Sequence, residues 1–402
     1  MKRILIVMLS LYNGGAERSL VNLLNEFDCP EFQIDLLLFR KEGMHLPQVP
    51  ASVRLLDASK TLGALYERRP NGKRLSSYPA YFVKIIASLI SRLAEPKNKR
   101  NADAFRWKHF YRRVVEELPT PYDVAVSFDS GEMLYYIVDK VHAKRKITWV
   151  HTNYREYQLP TRYDRPYFAK LDQVVTISPK CKTALEEVFP EFIGKFLWLP
   201  NLISSRKIEH LSLAYKPEEF AACPGANILS VARLSFEKGI DIAVEAAAEL
   251  KKRGIPFCWF IVGEGPEGVR LSQQIHSLGL EDDVVLLGTR ENPYPYIRGC
   301  DVLVQPSRVE GKSLVTDEAR ILHKPIVCAN YESAPDQIEH EVTGLIVPTT
   351  GEGISAGIVR LLEDDALREE IIANLKAKEQ GNAEEIRRYY ALFEGVTACT
   401  QG

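Results

Sequence analysis

Residues 302–329 read VLVQPSRVEGKSLVTDEARILHKPIVCA, and this stretch decides the fold. It begins and ends with short apolar runs, Val302–Gln305 and Ile326–Ala329, each of a length typical of a buried strand. The segment between the two runs is long enough for a helix with its connecting loops. Two strands joined by a helix lie parallel in one sheet, so the stretch predicts an α/β protein.

The same alternation extends in both directions from this unit. In the first half the candidate strands are 4–9, 34–39, 53–57, 124–128, 147–151, 174–178 and 196–199. In the second half they are 228–231, 259–262, 284–287, 302–305, 326–329 and 345–347. Helix-length segments separate most of them, which predicts two Rossmann-like domains in series. The polar stretch 200–224 contains no candidate strand, and we place the interdomain connection there.

Composition excludes several classes of protein. The chain has 402 residues, 46% of them hydrophobic, and its 52 basic and 53 acidic residues leave a net charge of -1, which gives no indication of a nucleic-acid partner. The seven cysteines form no CxxC pair and no metal-ligand spacing, so we expect reduced core cysteines in a cytoplasmic protein. No apolar run approaches the roughly 20 residues of a membrane-spanning helix.

One segment, about 66–117, interrupts the alternation with a strongly basic stretch that has no clear strand. Within it, 81–93 is an apolar helix face flanked by positive charge. Two interpretations remain open: a helix on an anionic membrane surface, or a helical insertion that packs on the sheet with a solvated basic face. The basic residues are Arg68, Arg69, Lys73, Arg74, Lys84, Arg92, Lys97, Lys99, Arg100, Arg106, Lys108, Arg112 and Arg113.

Parallel sheets bind ligands at the carboxyl ends of their strands, and the most informative motif follows the strand 302–305. There Glu310 and Glu318 flank a glycine-containing turn that opens a helix. Such a turn suits Glu310 to contact a sugar, the amides near Ser313 and Leu314 to hold a phosphate, and Glu318 to accept ribose hydroxyls. A capped surface helix with two solvated carboxylates is the alternative.

Two further motifs follow strands of the second half. Arg233 and Lys238, after the strand 228–231, suit a clamp on a diphosphate that gains charge as it leaves, although two exposed cations at a helix start fit equally. Residues 263–268, GEGPEG, fit GxGxxG formally. The dinucleotide interpretation fails, because Gly288 stands where it requires an acidic residue. Gly263 is therefore expected to line a nucleotide cleft or to form a plain turn.

In the first half, Gly14 and Gly15 follow the first strand, where glycine lets backbone approach a ligand. A plain tight turn is the alternative interpretation.

Taken together, these motifs resemble family 4 of the glycosyltransferases. The resemblance rests on Gly14-Gly15, Arg233 with Lys238, the turn 263–266, the segment 292–294 and the two-glutamate motif, and it is strongest over 227–348. It implies the GT-B architecture, with two Rossmann-like domains that face each other across a cleft. The N-terminal acceptor domain is 1–203, completed by a C-terminal helix in 383–402 that crosses back, and the donor domain is 204–382.

The resemblance also implies residue roles and partners. Arg233 and Lys238 bind the donor diphosphate, Glu310 and His151 lie near the transferred sugar, and Glu318 holds the ribose. The nucleobase loop contains Arg290 and Asn292, and Gly311 belongs to the phosphate turn. A UDP-sugar or GDP-sugar is the donor, UDP being favoured, and the acceptor is a glycan or lipid-linked hydroxyl in cell-surface polysaccharide synthesis. No metal or other cofactor is implied, and the reaction retains the anomeric configuration.

One departure from the family pattern and two rival functions remain. Lys312 and Ser313 stand where the family often has an aromatic or small residue followed by Gly or Pro, so Lys312 either favours a charged sugar or faces solvent. A sugar-nucleotide epimerase of the same fold and a non-catalytic partner subunit are the rivals. The intact set of site residues argues against the second.

Overall fold

A computed structural model of the chain describes residues 1–12, 14–67, 78–378 and 381–395. They form two compact units, one from Met1–Asn201 with the chain from Glu385 onward, the other from Leu202–Glu384. Every strand pairing in both units is parallel. The α/β fold predicted from the alternation of strands and helices is confirmed.

The strands of the first unit form one sheet in the order β3-β2-β1-β4-β5-β6-β7 within the described residues. They are β1 (Lys2–Met8), β2 (Phe32–Leu38), β3 (Arg54–Leu56), β4 (Leu118–Ser127), β5 (Val141–Val150), β6 (Gln173–Thr176) and β7 (Phe196–Trp198). The central strand β1 is buried from Ile4 to Met8, because helices cover both faces of the sheet.

Helices follow most of these strands, as the right-handed crossover of a parallel sheet requires. They are α1 (Gly15–Glu26), α2 (Lys60–Tyr66), α3 (Tyr78–Ala94), α4 (Lys99–Arg106), α5 (Arg112–Val114), α6 (Glu132–Lys140), α7 (Thr161–Phe168) and α8 (Pro179–Val188). A π-helical turn, Trp107–Tyr111, joins α4 to α5 and buries Trp107 and Tyr111. The basic segment is thus helical where it is described, while Arg68, Arg69, Lys73 and Arg74 lie outside the described residues.

The strands of the second unit form one sheet in the order β10-β9-β8-β11-β12-β13 within the described residues. They are β8 (Ala226–Val231), β9 (Phe257–Val262), β10 (Val284–Gly288), β11 (Val302–Gln305), β12 (Ile326–Ala329) and β13 (Leu345–Val347). Its helices are α9 (Ser205–Ser212), α10 (Glu218–Ala221), α11 (Ile240–Lys252), α12 (Gly268–Ser277), α13 (Tyr294–Gly299), α14 (Leu314–Ile321), α15 (Gly351–Glu363) and α16 (Asp365–Ala377). Every residue of β9 is buried, as expected for a strand covered on both faces.

The last described helix, α17 (Ile386–Glu394), packs on the first unit. The hydroxyl of Tyr389 donates to the carbonyl of Pro200 at 2.8 Å, and its ring stacks on the buried Trp149 with centroids 6.1 Å apart. Arg145 donates to the carbonyl of Leu392 at 2.5 Å. The prediction that the C-terminal helix returns to the N-terminal domain is therefore confirmed.

The expectation of seven reduced cysteines is wrong at one pair. A disulfide joins Cys223 and Cys258, whose Cα atoms are 5.7 Å apart. Cys223 lies just before β8, and the neighbouring β9 carries Cys258, so the pairing of two adjacent strands brings the cysteines within disulfide distance. Their separation of 35 residues gave no local spacing signal. Cys29, Cys181, Cys300 and Cys328 are free thiols.

Candidate functional site

The carboxyl ends of β8 and β11, which are neighbours in the second sheet, bring two predicted site residues together. Lys238 Nζ lies 2.6 Å from Glu310 Oε1, although the two residues are 72 positions apart in the chain. The Glu310 side chain is 6% exposed and that of Lys238 27%, so the ion pair is largely shielded from water. An ion pair in such surroundings is held strongly only when further hydrogen bonds satisfy the charged atoms.

Two polar side chains on β11 and its loop supply those bonds to Glu310. Its Oε1 atom accepts from Gln305 Nε2 at 2.9 Å and from Ser307 Oγ at 2.8 Å. Ser333 Oγ donates to the Glu310 carbonyl at 2.7 Å and fixes the backbone of the loop. The sequence analysis missed these three residues. Gln305, a polar residue at the end of an otherwise apolar strand, was the available signal.

A glycine makes the approach of the two loops possible. Gly239, which follows Lys238, has φ +65°, and a Cβ atom there would overlap the carbonyl oxygen of Pro306. The absence of a side chain lets the Lys238 turn lie directly against the loop that leads to Glu310. Arg308 ties the same two loops together, since its guanidinium forms two hydrogen bonds of 2.8 Å to Asp241 and stacks on Phe236.

The N terminus of α14 forms the next part of the site. Ser313 caps the helix, its Oγ accepting from the Thr316 amide at 3.2 Å. The Ser313 amide, however, donates to Gln337 Oε1 at 2.8 Å, and Gln337 Nε2 donates to the Ser313 carbonyl at 2.7 Å. The expectation that the Ser313 amide holds a phosphate therefore does not fit this arrangement. The Leu314 amide lies in the first turn, where a helix supplies no carbonyl of its own as acceptor.

Glu318 lies one turn further along α14 and is 2% exposed. Its Oε1 atom accepts from the hydroxyl of Tyr294 at 3.2 Å. Lys312, next to Gly311, lies 3.2 Å from the carboxylate of Asp317 in the first turn of α14. Its charge is thus compensated within the motif, which fits neither an open cation for a charged sugar nor a fully solvated lysine.

The predicted glycine turn and Arg233 lie side by side. Gly263 has φ +143°, and a Cβ atom there would overlap the carbonyl of Ala232, the residue before Arg233. Gly263 therefore allows the β9 loop to run against the β8 loop, which is a packing role. Arg233 itself is exposed, and no residue in the described part of the chain forms an ion pair with it. Its guanidinium is open to a ligand.

Arg290 and Asn292, predicted for nucleobase contact, make intramolecular bonds. The Arg290 guanidinium donates to the Tyr296 hydroxyl at 3.1 Å and lies 3.4 Å from Glu219. Asn292 Nδ2 donates to the Leu211 carbonyl at 2.8 Å. Both side chains order the loop after β10, and the Leu287 and Asn292 carbonyls accept from Arg290 and Tyr215.

In the first unit, Gly14, Gly15, His151 and Asp129 follow strand ends. Gly14 caps α1, and a Cβ atom there would meet the Glu17 side chain, whereas one at Gly15 would enter open space. Asn13 lies outside the described residues. His151 Nε2 donates to the Phe128 carbonyl at 3.0 Å, and burial lowers the pKa of His151 to about 4. The imidazole is therefore neutral near pH 7, and its Nδ1 atom is an acceptor.

Asp129 was not predicted, although it follows β4 directly. Its Oδ1 atom accepts from the Ser130 amide at 2.8 Å. Burial raises the pKa of Asp129 to about 7, and the nearby Glu17 carboxylate acts in the same direction. This edge of the first sheet thus combines a neutral imidazole with a carboxyl group that is partly protonated near neutral pH.

The described residues contain neither a metal-binding cluster nor a membrane-spanning helix. In 1–12, 14–67, 78–378 and 381–395, no group of three or more His, Cys, Asp or Glu side chains is arranged to hold a metal ion. Within the same ranges, no helix has both the length and the apolar character needed to cross a bilayer.

The second unit matches a known family. Residues 220–378 match the family model described as Glycosyl transferases group 1. Over 151 residues the chain is 34% identical to alpha-D-kanosaminyltransferase of Streptomyces kanamyceticus, covering 37% of this chain and 39% of that protein. It is 30% identical over 201 residues to the amylovoran biosynthesis glycosyltransferase AmsK of Erwinia amylovora, covering 45% and 49%.

A third relative acts, by its name, on a lipid-linked glycan. This N-acetylgalactosamine-N,N'-diacetylbacillosaminyl-diphospho-undecaprenol 4-alpha-N-acetylgalactosaminyltransferase of Campylobacter jejuni is 32% identical over 201 residues, 48% of this chain and 52% of that protein. The matched segments thus span about half or less of the length of these curated relatives.

Solved structures share the fold over nearly the whole chain. HepE of Anabaena, in complex with UDP and glucose, has a TM-score of 0.70 at 18% identity, covering 98% of this chain and all of that one. Sucrose-phosphate synthase of Thermosynechococcus elongatus has a TM-score of 0.68 at 17% identity, with both chains fully covered. The two parallel-sheet units match those of GT-B glycosyltransferase structures, and residues 220–378 match the group 1 glycosyltransferases in sequence.

Proposed function

We propose that this protein is a GT-B glycosyltransferase that moves a sugar from a nucleoside diphosphate to an acceptor hydroxyl with retention of configuration, as in family 4. The observation that carries the proposal is the pairing of Lys238 with Glu310 beside the N terminus of α14. This arrangement lies within residues 220–378, which match the glycosyltransferase family model.

Lys238 and Arg233 bind the diphosphate of the donor in this proposal. Bond breaking at the anomeric carbon leaves extra negative charge on the β-phosphate, and a lysine, a guanidinium and a helix N terminus are the groups that stabilise such charge. Arg233 is exposed, and Lys238 is held close to the site by Glu310. The Leu314 amide adds a donor from the first turn of α14.

In this proposal, Glu310 and Glu318 accept hydrogen bonds from hydroxyl groups of the donor. Glu310 uses Oε1 for its three intramolecular donors, and Oε2 has no partner in the described residues, so it is available to a sugar hydroxyl. Glu318 takes the ribose, an acceptor role that its buried carboxylate on α14 suits. His151, neutral near pH 7, offers Nδ1 to a hydroxyl of the transferred sugar.

In the family, retention of configuration is attributed to the leaving diphosphate, which helps to deprotonate the acceptor hydroxyl. The bond from the anomeric carbon to the phosphate oxygen breaks, and the acceptor oxygen bonds to the same face of the carbon. The acceptor proton passes to the released phosphate oxygen. The charge is then stabilised by Lys238 and Arg233, so the proposed reaction uses no metal ion or other cofactor.

The similar proteins support the proposed donor and acceptor. Three HepE structures of this fold contain UDP or UDP-glucose, which favours a UDP-sugar over a GDP-sugar. Relatives named for amylovoran synthesis and for a diphospho-undecaprenol acceptor favour a glycan or lipid-linked hydroxyl in surface polysaccharide synthesis.

Thermal denaturation with UDP, GDP, their sugar conjugates and NAD tests the donor site, because a ligand that binds only the native state raises Tm. We expect a rise with one nucleotide class that Arg233→Ala and Glu318→Ala remove. Arg253→Ala, which alters an exposed arginine outside the proposed site, is the matched control and should preserve the rise. No rise with any nucleotide, or a rise with NAD alone, would contradict the proposal. Conversion of donor to its epimer without acceptor would favour the epimerase.

A further inference from the structure

Helix α3 in the first unit buries small residues and exposes large apolar ones, which is the reverse of an ordinary surface helix. The residues that it buries are small, Ala87 at 0% and Ser91 at 1% exposure. Val83 packs partly buried against the core, whereas six large apolar side chains are exposed: Phe82 60%, Ile85 49%, Ile86 51%, Leu89 62%, Ile90 40% and Leu93 75%.

These six side chains form one continuous stripe. With 3.6 residues per turn they fall within an arc of about 140°, centred opposite Ala87 and Ser91. Lys84 lies on the inward side and donates to the carbonyl of Glu67. Water-soluble proteins rarely expose a contiguous apolar patch of more than a few hundred Å², and larger patches mark surfaces that bind something.

The charge around the stripe indicates what it binds. Residues 78–115 contain nine basic and two acidic residues, although the whole chain has a net charge of -1. Both acids are engaged: Glu95 accepts from the Tyr163 hydroxyl at 2.8 Å, and Asp103 pairs with Arg106 at 3.0 Å. Arg92, Lys97 and Lys99, at the C-terminal end of α3 or just after it, are exposed, and no described carboxylate forms an ion pair with any of them.

A cationic pocket adjoins the same end of the helix. Tyr163, bound to Glu95 just after α3, lines this pocket together with Lys108, Arg112 and Lys170. The carboxylate in the pocket, Asp139, forms an ion pair with Arg112 at 3.3 Å and accepts from Trp107 Nε1 at 3.0 Å and from the Tyr167 hydroxyl at 2.8 Å. No described carboxylate forms an ion pair with Lys108 or Lys170, the other two cations of the pocket. The pocket therefore favours an anionic group.

We infer that the outward stripe of α3 lies in the plane of an anionic lipid surface, with the flanking cations on the lipid phosphates. A helix with one apolar face, a basic surround and no acidic residue binds at the boundary between headgroups and acyl chains. Lysines are depleted in the interfaces between proteins, so the exposed Lys97 and Lys99 favour lipid over a protein partner. This inference does not depend on the proposed sugar transfer.

Sedimentation of the full chain with vesicles tests the inference. We expect the protein to sediment with phosphatidylglycerol–phosphatidylcholine vesicles at low salt, several-fold less at high salt, and little with phosphatidylcholine alone. The triple variant Phe82→Ser, Leu89→Ser, Leu93→Ser should lose at least tenfold in binding. The control triple Ile193→Ser, Leu213→Ser, Val269→Ser removes apolar side chains of comparable exposure elsewhere and should bind like the parent protein.

Other outcomes would overturn the inference. A parent protein that stays in the supernatant, equal binding to both vesicle types, or equal loss in both triple variants would each do so. Light scattering of the protein without lipid tests a second copy as the occupant. A dimer that the α3 variant alone converts to a monomer would assign the stripe to self-association. Circular dichroism spectra and melting temperatures equal to those of the parent establish that the variants are folded.

Discussion

The two sheets follow the same topology but carry different chemistry at their carboxyl edges. The orders β3-β2-β1-β4-β5 and β10-β9-β8-β11-β12 correspond strand for strand. In the second sheet the edge carries the charged pair Lys238–Glu310, with two further hydrogen bonds to Glu310 from Gln305 and Ser307. In the first sheet it carries His151, whose pKa is lowered to about 4, and Asp129, whose pKa is raised to about 7.

This comparison indicates that the loops after the strands, and not the sheets, give the two edges their different chemistry. A charged edge suits an anionic diphosphate, while a nearly neutral edge suits a sugar hydroxyl and proton exchange. The same backbone framework supports both, as expected when function resides in sites carried by a fold. Each of the following experiments alters one edge and leaves the other intact.

The largest effect is expected at the charged edge. Lys238→Ala removes a cation from the proposed diphosphate site and leaves Glu310 with two neutral donors. We expect the rate of sugar transfer, or of donor hydrolysis without acceptor, to fall by about 10²–10³-fold. Lys251→Ala, which breaks an exposed ion pair with Asp283, should change the rate less than twofold. Equal rates for the two variants would remove Lys238 from the mechanism.

A second experiment tests the approach of the two loops at that edge. Gly239→Ala introduces a Cβ atom against the Pro306 carbonyl at φ +65°, while Gly254→Ala has nearly the same φ, +70°, but no atom within 4 Å. The conformational cost of about 1 kcal/mol is common to both variants. We therefore expect Gly239→Ala to lower the free energy of unfolding by about 2 kcal/mol more, measured by thermal melting. Identical losses would show that the close approach is not required.

The neutral edge is tested through pH. Because the pKa of His151 is about 4 in the native protein and 6.5 for an unperturbed histidine, the unfolded chain binds more protons between these values. His151 therefore contributes stability above pH 6.5 that is lost as pH falls toward 4. Relative to a His151→Asn variant, the parent should lose about 1.3 kcal/mol between pH 7.5 and 5.5, measured from paired melting curves. If the stability difference between the parent and the variant does not change with pH, the pKa of His151 is not lowered in the native protein.

The smallest effect is expected at Gln337, which forms hydrogen bonds to the backbone of Ser313, the residue before α14. Gln337→Ala removes both hydrogen bonds to the Ser313 backbone. We expect donor turnover to fall about fivefold, because the helix N terminus loses its alignment while every proposed ligand contact remains. Asn374→Ala, which removes a single bond to the Val342 carbonyl, serves as the control and should leave turnover unchanged. If turnover is also unchanged in Gln337→Ala, the two hydrogen bonds from Gln337 to Ser313 only stabilise the fold.

Most of the fold was predictable because it depends on local patterns. All thirteen candidate strands exist, and Val302–Gln305 and Ile326–Ala329 have the predicted ends. The largest difference is in β4 and β5, which begin at Leu118 and Val141, earlier than their apolar parts. β4 begins with LPTP and β5 with VHAKRK, so prolines or charged residues interrupt the apolar pattern there and a search for buried runs does not detect these parts.

The site was less predictable because its contacts are long-range. Lys238 and Glu310 were identified, but their direct pairing depends on β8 and β11 being neighbours, which no local spacing indicates. The use of the Ser313 amide by Gln337, 24 residues away, was equally invisible. The Cys223–Cys258 disulfide escaped for the same reason. The outward stripe of α3 was seen as apolar, but its direction depends on the residues that pack beneath it.

The Lys238–Glu310 ion pair has a consequence for discrimination between ligands. An isolated anion that draws Lys238 away removes the one cation that pairs with the buried Glu310 carboxylate in the described part of the chain, and the cost of that exchange opposes binding. A ligand that presents an anion to the lysine and hydroxyl groups to the carboxylate compensates both atoms at once. In the proposed donor site, the pair would therefore bind free phosphate more weakly than a molecule that carries phosphate and sugar together.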